Sequence, residues 1–287
     1  MAPARGRPEG VRAMKIVDAN GARIPALGLG TWDLRGEACA ELVAHALTHG
    51  YRHIDTAQMY ANEREVGQGI AASGVARDAF FLTTKIWPDN FRSHDFARAA
   101  EERVRLLDCG PVDLLLLHWP SRDVPLAETM AALVKAKRDG LTKHIGISNF
   151  TTTLIEEAVG LADEPIACNQ VEYHPLLGQD AVLAACARHG IAVTAYCPIA
   201  RNAVAEHAVA REIADKHDAS PAQIALAWLV RQDGVIAIPR SSKPERLDSN
   251  LAALDIDLSD EDAAAIGALT SHNQRLVSPA GVAPDWD

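Results

Sequence analysis

Residues 112–119 read VDLLLLHW. Four consecutive leucines show neither strict alternation nor helical spacing. A short apolar run of this kind is a strand covered on both faces, as in a parallel sheet crossed by helices. Seven further segments have strand character: 26–31, 51–56, 80–86, 144–148, 167–172, 192–197 and 235–239, with 112–118 as the fourth of eight. Helical patterns lie between them at 37–47, 94–107, 126–138, 151–159, 180–188 and 204–216. Gly50 suits the C-cap of the first. Asn62 stands where it can cap the helix that follows residue 60. Ser220 and Pro221 open another helix with a cap and a first-turn proline.

Eight strands alternating with helices, with no long linker, predict one α/β domain, a (β/α)8 TIM barrel. A doubly wound sheet would carry a glycine-rich phosphate turn after its first strand. The nearest match, GLGTWD at 28–33, lacks the third glycine. Asn20–Gly21 predicts an N-terminal β-hairpin within 15–27. A C-terminal extra helix is expected at 259–270, followed by a tail at 272–287. Residues 1–14, rich in Arg, Pro and Gly, read as a disordered extension, which leaves 15–287 as the single domain.

The bulk numbers narrow the class of function. The chain is 48% hydrophobic and 23% charged, an ordinary globular composition. No apolar run nears the roughly 18 residues of a membrane span, and the N-terminus lacks the apolar core of a secretory signal. A net charge of −10 repels a phosphate backbone and argues against nucleic acid. Five scattered cysteines without C-x-x-C spacing suit reduced thiols in a cytoplasmic protein. No interface stripe stands out, so a monomer is expected.

In a barrel the chemistry sits at the C-terminal strand ends. Those ends carry Thr31 and Trp32, Asp55 and Tyr60, Lys85 and Trp87, His118 and Trp119, Ser148 and Asn149, Gln170 and Glu172, and Tyr196 and Cys197. A phenol has an ordinary pKa of about 10, high for an acid near neutrality, and an adjacent ammonium lowers it. Asp55 supplies the counter-charge that a partly buried Lys85 needs. His118 can donate to a carbonyl oxygen and aim it. The four suit proton delivery to an oxygen that gains negative charge, which is carbonyl reduction. Each alone has an ordinary explanation: a turn tyrosine, a snorkelling lysine, a core histidine. Their convergence on three consecutive strands outweighs these. Trp32, Trp87, Trp119 and Trp286 could wall an apolar pocket. No H-E-x-x-H or similar spacing calls for a metal, and helix histidines such as His45 and His49 read as solvated. After the last strand, Arg240, Lys243 and Arg246, with the hydroxyls of Ser241 and Ser242, form a basic cluster suited to a small anion.

The motifs GLGTW, GYRHIDTAQMYANE, TTKIWP, LLLLHWP, IGISNF, NQVEYHP, AYCPIA and IPRSSKPERLDSN occur in this order. The chain resembles the aldo-keto reductases across 15–287. The resemblance implies an NADPH-dependent reductase of small carbonyl compounds, with Tyr60 as proton donor, Asp55 and Lys85 as its tuning pair and His118 orienting the carbonyl. It implies that Ser148, Asn149 and Gln170 hold the nicotinamide carboxamide, that Tyr196 stacks on its ring, and that Thr31 and Asp55 lie beside it. The backbone of Cys197, Pro198, Ile199, Ala200 and Arg201 would follow the pyrophosphate. Arg240, Ser241 and Arg246 would grip the 2′-phosphate, with Ser242 and Lys243 beside them, and Ser249 and Asn250 would meet the adenine. Trp32, Trp87, His118 and Trp119 would border the substrate. The tail RLVSPAGVAPDWD resembles the bacterial branch that acts on 2,5-diketo-D-gluconate or methylglyoxal. Three positions depart from the family's usual residues: Cys197 for serine, Arg240 for lysine and Ser249 for glutamate. A cofactor-bound sensor on the same barrel, with little turnover, is the alternative; an aldolase with Lys85 as Schiff base is a third.

Overall fold

The hairpin pairs β1 (Ile16–Ala19) with β2 (Ala22–Pro25) in antiparallel register. Asn20 and Gly21 turn it, both with left-handed backbone (φ 47° and 86°). That is the turn Asn–Gly favours, because its twist matches the strands. This computed structural model describes residues 14–287. Met14, expected in the extension, packs against the core; the disorder expected for 1–13 lies outside the described residues.

Eight strands follow: β3 (Leu29–Gly30), β4 (His53–Asp55), β5 (Phe81–Ile86), β6 (Val112–Leu117), β7 (Thr142–Ser148), β8 (Ile166–Glu172), β9 (Ala192–Tyr196) and β10 (Val235–Ala237). All pair in parallel with their chain neighbours. Every residue of β6 is buried, which explains why its sequence does not alternate. The sheet curls until its edges meet. Leu27 pairs with Ala237, and the Gly28 and Gly30 N–H groups donate to Ala237 and Pro239 at 2.9 and 3.0 Å. A Cβ on Gly30 would stand 2.8 Å from the Ile238 carbonyl oxygen, so this seam requires glycine. The curled sheet is consistent with the expected barrel. The first strand, expected over 26–31, is shorter because the seam engages Ala26–Gly28 through a bridge and single hydrogen bonds.

The helices are α1 (Gly36–Thr48), α2 (Glu63–Ser73), α3 (Ser93–Leu107), α4 (Leu126–Arg138), α5 (Thr152–Leu161), α6 (Asp180–Arg188), α7 (Ala208–Lys216), α8 (Pro221–Arg231), α9 (Pro244–Ala252) and α10 (Asp260–Ala268). Helix α8 opens on Ser220 as N-cap with Pro221 in its first turn, as expected, and Gln223 completes a capping box with Ser220. Helix α1 ends one residue before its expected cap: His49 is the C-cap and Gly50 follows with φ 107°. The segment 204–216 is not one helix. A 3-10 stretch, Ala200–Glu206, precedes α7, and His207 between them is extended (φ −86°, ψ 128°), which interrupts the helical path.

Asn62 precedes α2 but its side chain does not cap it. Its Nδ2 donates to the Thr31 and Leu34 carbonyls (2.8 and 3.1 Å), and its Oδ1 accepts from Thr56 Oγ1 (2.9 Å). A fully buried amide must satisfy its polar atoms internally, so Asn62 ties the loop after β3 to the loop after β4. Among the described residues no helix is long and apolar enough to cross a membrane.

Candidate active site

Strand β4 ends at Asp55, and a 3-10 turn, Gln58–Tyr60, carries the chain over the sheet edge. The Arg35 guanidinium donates to the main-chain oxygen of Tyr60 and holds that turn. Lys85 rises from β5. Its Nζ donates to Asp55 Oδ1 (2.5 Å), the Thr56 carbonyl (2.9 Å) and Tyr60 Oη (3.4 Å). Three acceptors meet three N–H bonds, which is how a side chain that is 0% exposed stays charged. Since Tyr60 Oη accepts from Lys85, its own hydrogen is left to point elsewhere. Asp55 Oδ2 accepts from Gln170 Nε2 (2.8 Å), so both carboxylate oxygens are used.

His118 follows β6 and faces the phenol edge-on, 5.7 Å between ring centroids. Trp87 packs on the imidazole at 5.2 Å and Trp32 on Tyr60 at 5.0 Å. Nδ1 of His118 is buried and has no hydrogen-bond partner among the described residues.

Burial pushes the Tyr60 hydroxyl well above its ordinary 10, and the charge of Asp55 pushes the same way. This corrects the expectation that Lys85 lowers it. The carboxylate 2.5 Å from the ammonium offsets much of the ammonium's field, and desolvation wins. The phenol therefore keeps its proton at neutral pH. Burial lowers Lys85, opposed by Asp55. Burial, reinforced by Lys85, holds His118 well below 6.5. His118 is thus a neutral imidazole with one N–H to donate.

The other expected residues surround this group. Thr31 Oγ1 donates to the Asp55 carbonyl (3.0 Å). Ser148 Oγ donates to the Gln170 carbonyl (2.8 Å). Asn149, left-handed at φ 64°, donates to the His118 carbonyl (3.0 Å) and Ser148 Oγ (3.1 Å), and accepts from Tyr196 Oη (2.8 Å). Gln170 retains one N–H and its amide oxygen, and Asn149 retains one lone pair. That remaining capacity fits a carboxamide, which offers one acceptor and two donors. Cys197, Ala200, Arg201 and Asn202 are left-handed around Pro198 and Ile199. Such turns direct main-chain N–H groups into an anion-binding concavity.

Beyond β10, Arg240 does not stand free. Its Nε donates to the Trp32 carbonyl (3.0 Å) and its Nη2 to that of Asp33 (3.4 Å), which fastens the loop after β3. Ser241 Oγ accepts from the Lys243 N–H (3.1 Å). Ser242, Lys243 and Arg246 are exposed, and neither cation has an ion-pair partner among the described residues. On α9, Asn250 is buried, and the Ser249 carbonyl accepts from Gln223 (3.0 Å). Trp32 is 47% exposed, whereas Trp119 is buried and packs edge-on against Trp286 at 6.1 Å.

Glu172 had no assigned role in the sequence. It is fully buried at the end of β8. Its two oxygens accept from the Leu276 and Val277 N–H groups (2.7 and 2.8 Å), and His174 Nε2 lies 3.0 Å away. Further along the tail, the Arg275 guanidinium stacks on Trp286 at 3.7 Å, and the Asp287 carboxylate accepts from Thr152 at the start of α5. The tail is therefore stitched across the strand ends. The only hint in the sequence was a carboxylate inside a buried strand, a charge that needs donors.

A held phenolic proton beside a neutral imidazole is the equipment of an enzyme that turns a carbonyl oxygen into a hydroxyl. The family model described as the Aldo/keto reductase family matches residues 26–271. The chain is 46% identical over 267 residues to the methylglyoxal reductase DkgB of Escherichia coli, covering 92% of this chain and 99% of that protein. It is similar to the crystal structure of a putative 2,5-diketo-D-gluconic acid reductase B, with TM-score 0.94, 46% identity and coverage of 96% of this chain and 98% of that one. A Bombyx mori aldo-keto reductase solved in complex with NADP aligns with TM-score 0.86 at 31% identity, covering 93% and 96% of the two chains. The chain belongs to the aldo/keto reductase family and is an oxidoreductase.

Proposed function

We propose that this chain, a (β/α)8 barrel domain over 15–287, reduces small aldehydes and ketones with NADPH, and that Tyr60 is the proton donor. One observation carries the assignment: Tyr60 Oη accepts from Lys85, so its hydrogen is free, and burial keeps that hydrogen in place. NADPH, when bound, supplies the hydride. His118 donates its one N–H to the substrate carbonyl and sets the oxygen within reach of Tyr60. As negative charge gathers on that oxygen, Tyr60 delivers its proton, and the Lys85 ammonium at 3.4 Å stabilises the phenolate that forms. Asp55 holds the ammonium in place and keeps the buried pair neutral overall.

The residual hydrogen-bonding capacity of Asn149 and Gln170 supports a nicotinamide carboxamide at this edge. The left-handed turn at 197–202 supports a pyrophosphate beyond it. Arg246 and Lys243 are the free cations for a 2′-phosphate, while Arg240 acts chiefly through the loop after β3. Trp32 and Trp87, flanking Tyr60 and His118, suit small α-dicarbonyls or keto-sugars such as methylglyoxal or 2,5-diketo-D-gluconate, the substrates named for the relatives. We assign the active form as a monomer, which light scattering tests. Tyr60→Phe should leave NADPH binding nearly intact and lower kcat by several orders of magnitude, measured by NADPH oxidation over a panel of both substrates, aromatic aldehydes and keto-esters. A variant that kept most of its rate would remove Tyr60 as the acid.

A further inference from the structure

His45 and His49 are four residues apart on α1, so they share one helix face. Their rings stack with centroids 3.7 Å apart and an interplanar angle of 18°. Nδ1 of His49 lies 2.8 Å from the His45 carbonyl oxygen and donates to it, which leaves Nε2 as the nitrogen that can ligate. Nε2 of His45 lies 3.0 Å from Oδ1 of Asp248, which comes from α9. Each residue offers one ligand atom, and these atoms all lie within 4.8 Å of one another. Around a tetrahedral zinc ion, with bonds of about 2.0–2.2 Å, ligand atoms sit roughly 3.3–3.5 Å apart. The stacked ring planes hold the two imidazole lone pairs nearly parallel, so binding requires the more exposed His49 ring to turn about its side-chain torsions until both lone pairs converge on the ion. The His45 side chain is 22% exposed and that of Asp248 49%, so an ion has a path in.

We propose that His45, His49 and Asp248 form a site for a divalent transition-metal ion of the zinc class, clipping α9 to α1. Two imidazole nitrogens and one carboxylate oxygen select such ions over magnesium and calcium, which take all-oxygen shells. Three protein ligands leave a fourth position for water. The site is separate from the Tyr60 group, although α9 also carries Arg246 and Asn250. Taken singly, both histidines read as solvated helix residues. The fold makes them a chelating set by bringing up an aspartate about two hundred positions away.

The test is zinc binding to the untagged full chain, measured by competition with a chromophoric chelator, with cobalt absorption reporting imidazole ligation. One zinc per chain is expected. His49→Gln and Asp248→Asn should each weaken binding at least tenfold. His207→Gln, which removes a histidine paired edge-on with His272, should change nothing. Far-UV circular dichroism checks that each variant keeps its fold. Unchanged affinity in the double variant His45→Gln/His49→Gln would overturn the site. Unchanged affinity in Asp248→Asn would overturn the bridge between the helices. Magnesium binding as tightly as zinc would overturn the assigned class of ion.

Discussion

Replacing Lys85 with methionine keeps most of the aliphatic stem and deletes the ammonium. Asp55 Oδ1 then loses the donor at 2.5 Å, while Oδ2 keeps only Gln170. The carboxylate is 1% exposed, so water cannot replace what was lost. Breaking a buried ion pair from one side costs about 3–5 kcal/mol. The expected loss is therefore about 3–5 kcal/mol at pH 7. Neutralising both partners, as Asp55→Asn/Lys85→Met, should recover most of this, to within about 1–2 kcal/mol of the wild type, without restoring turnover. Urea unfolding followed by far-UV circular dichroism measures all four corners of the cycle. If Lys85→Met lost under 1 kcal/mol at pH 7, or the double variant lost as much as the single, the pair would not be the buried counter-charge described here.

Four further outcomes follow from the geometry. Arg246→Ala should raise the Kd for NADPH at least tenfold and leave that for NADH nearly unchanged, read by fluorescence titration; equal losses would remove the 2′-phosphate assignment. Arg240→Ala should weaken both cofactors alike, because it loosens the loop that holds Trp32. For pH, native His118 binds fewer protons than unfolded His118 between its lowered native pKa and about 6.5. Stability should therefore fall as pH drops below about 6.5, by up to about 1.4 kcal/mol per pH unit from this group. Urea midpoints near neutral and near pH 5.5 should differ less for His118→Gln than for wild type, and identical differences would contradict the native pKa direction. Glu172→Gln replaces an acceptor oxygen with a donor facing the tail N–H groups, at a cost of about 1–3 kcal/mol. Amide exchange at Leu276 and Val277 should speed up by ten- to hundredfold, and unchanged protection would show that Glu172 does not anchor the tail.

Much of the fold was legible because its signals are local. The leucine run at 114–117, the Asn20–Gly21 turn and the Ser220–Pro221 cap each depend on residues within one element. Asp55, Tyr60, Lys85 and His118 were legible as a set because strand order places consecutive strand ends side by side. Asn62 was misread because a cap and a loop tie use the same amide, and only burial shows which carbonyls lie within its reach. Arg240 was read by charge alone, whereas its guanidinium is largely committed to the Trp32–Asp33 main chain. The tail's attachment to Glu172 depends on residues about a hundred positions apart, which no local pattern records.

The sequence by itself determined which strands are buried on both faces, where the chain turns, and which chemical groups reach the C-terminal strand ends. Those properties follow from side-chain type and spacing. The tertiary structure alone decided the state of those groups. Tyr60 holds its proton because its neighbours exclude water and Asp55 offsets Lys85, and His118 is neutral for the same reason of burial. Desolvation and electrostatic pairing depend on distances in space, and those exist only once the sheet has curled and its edges have met.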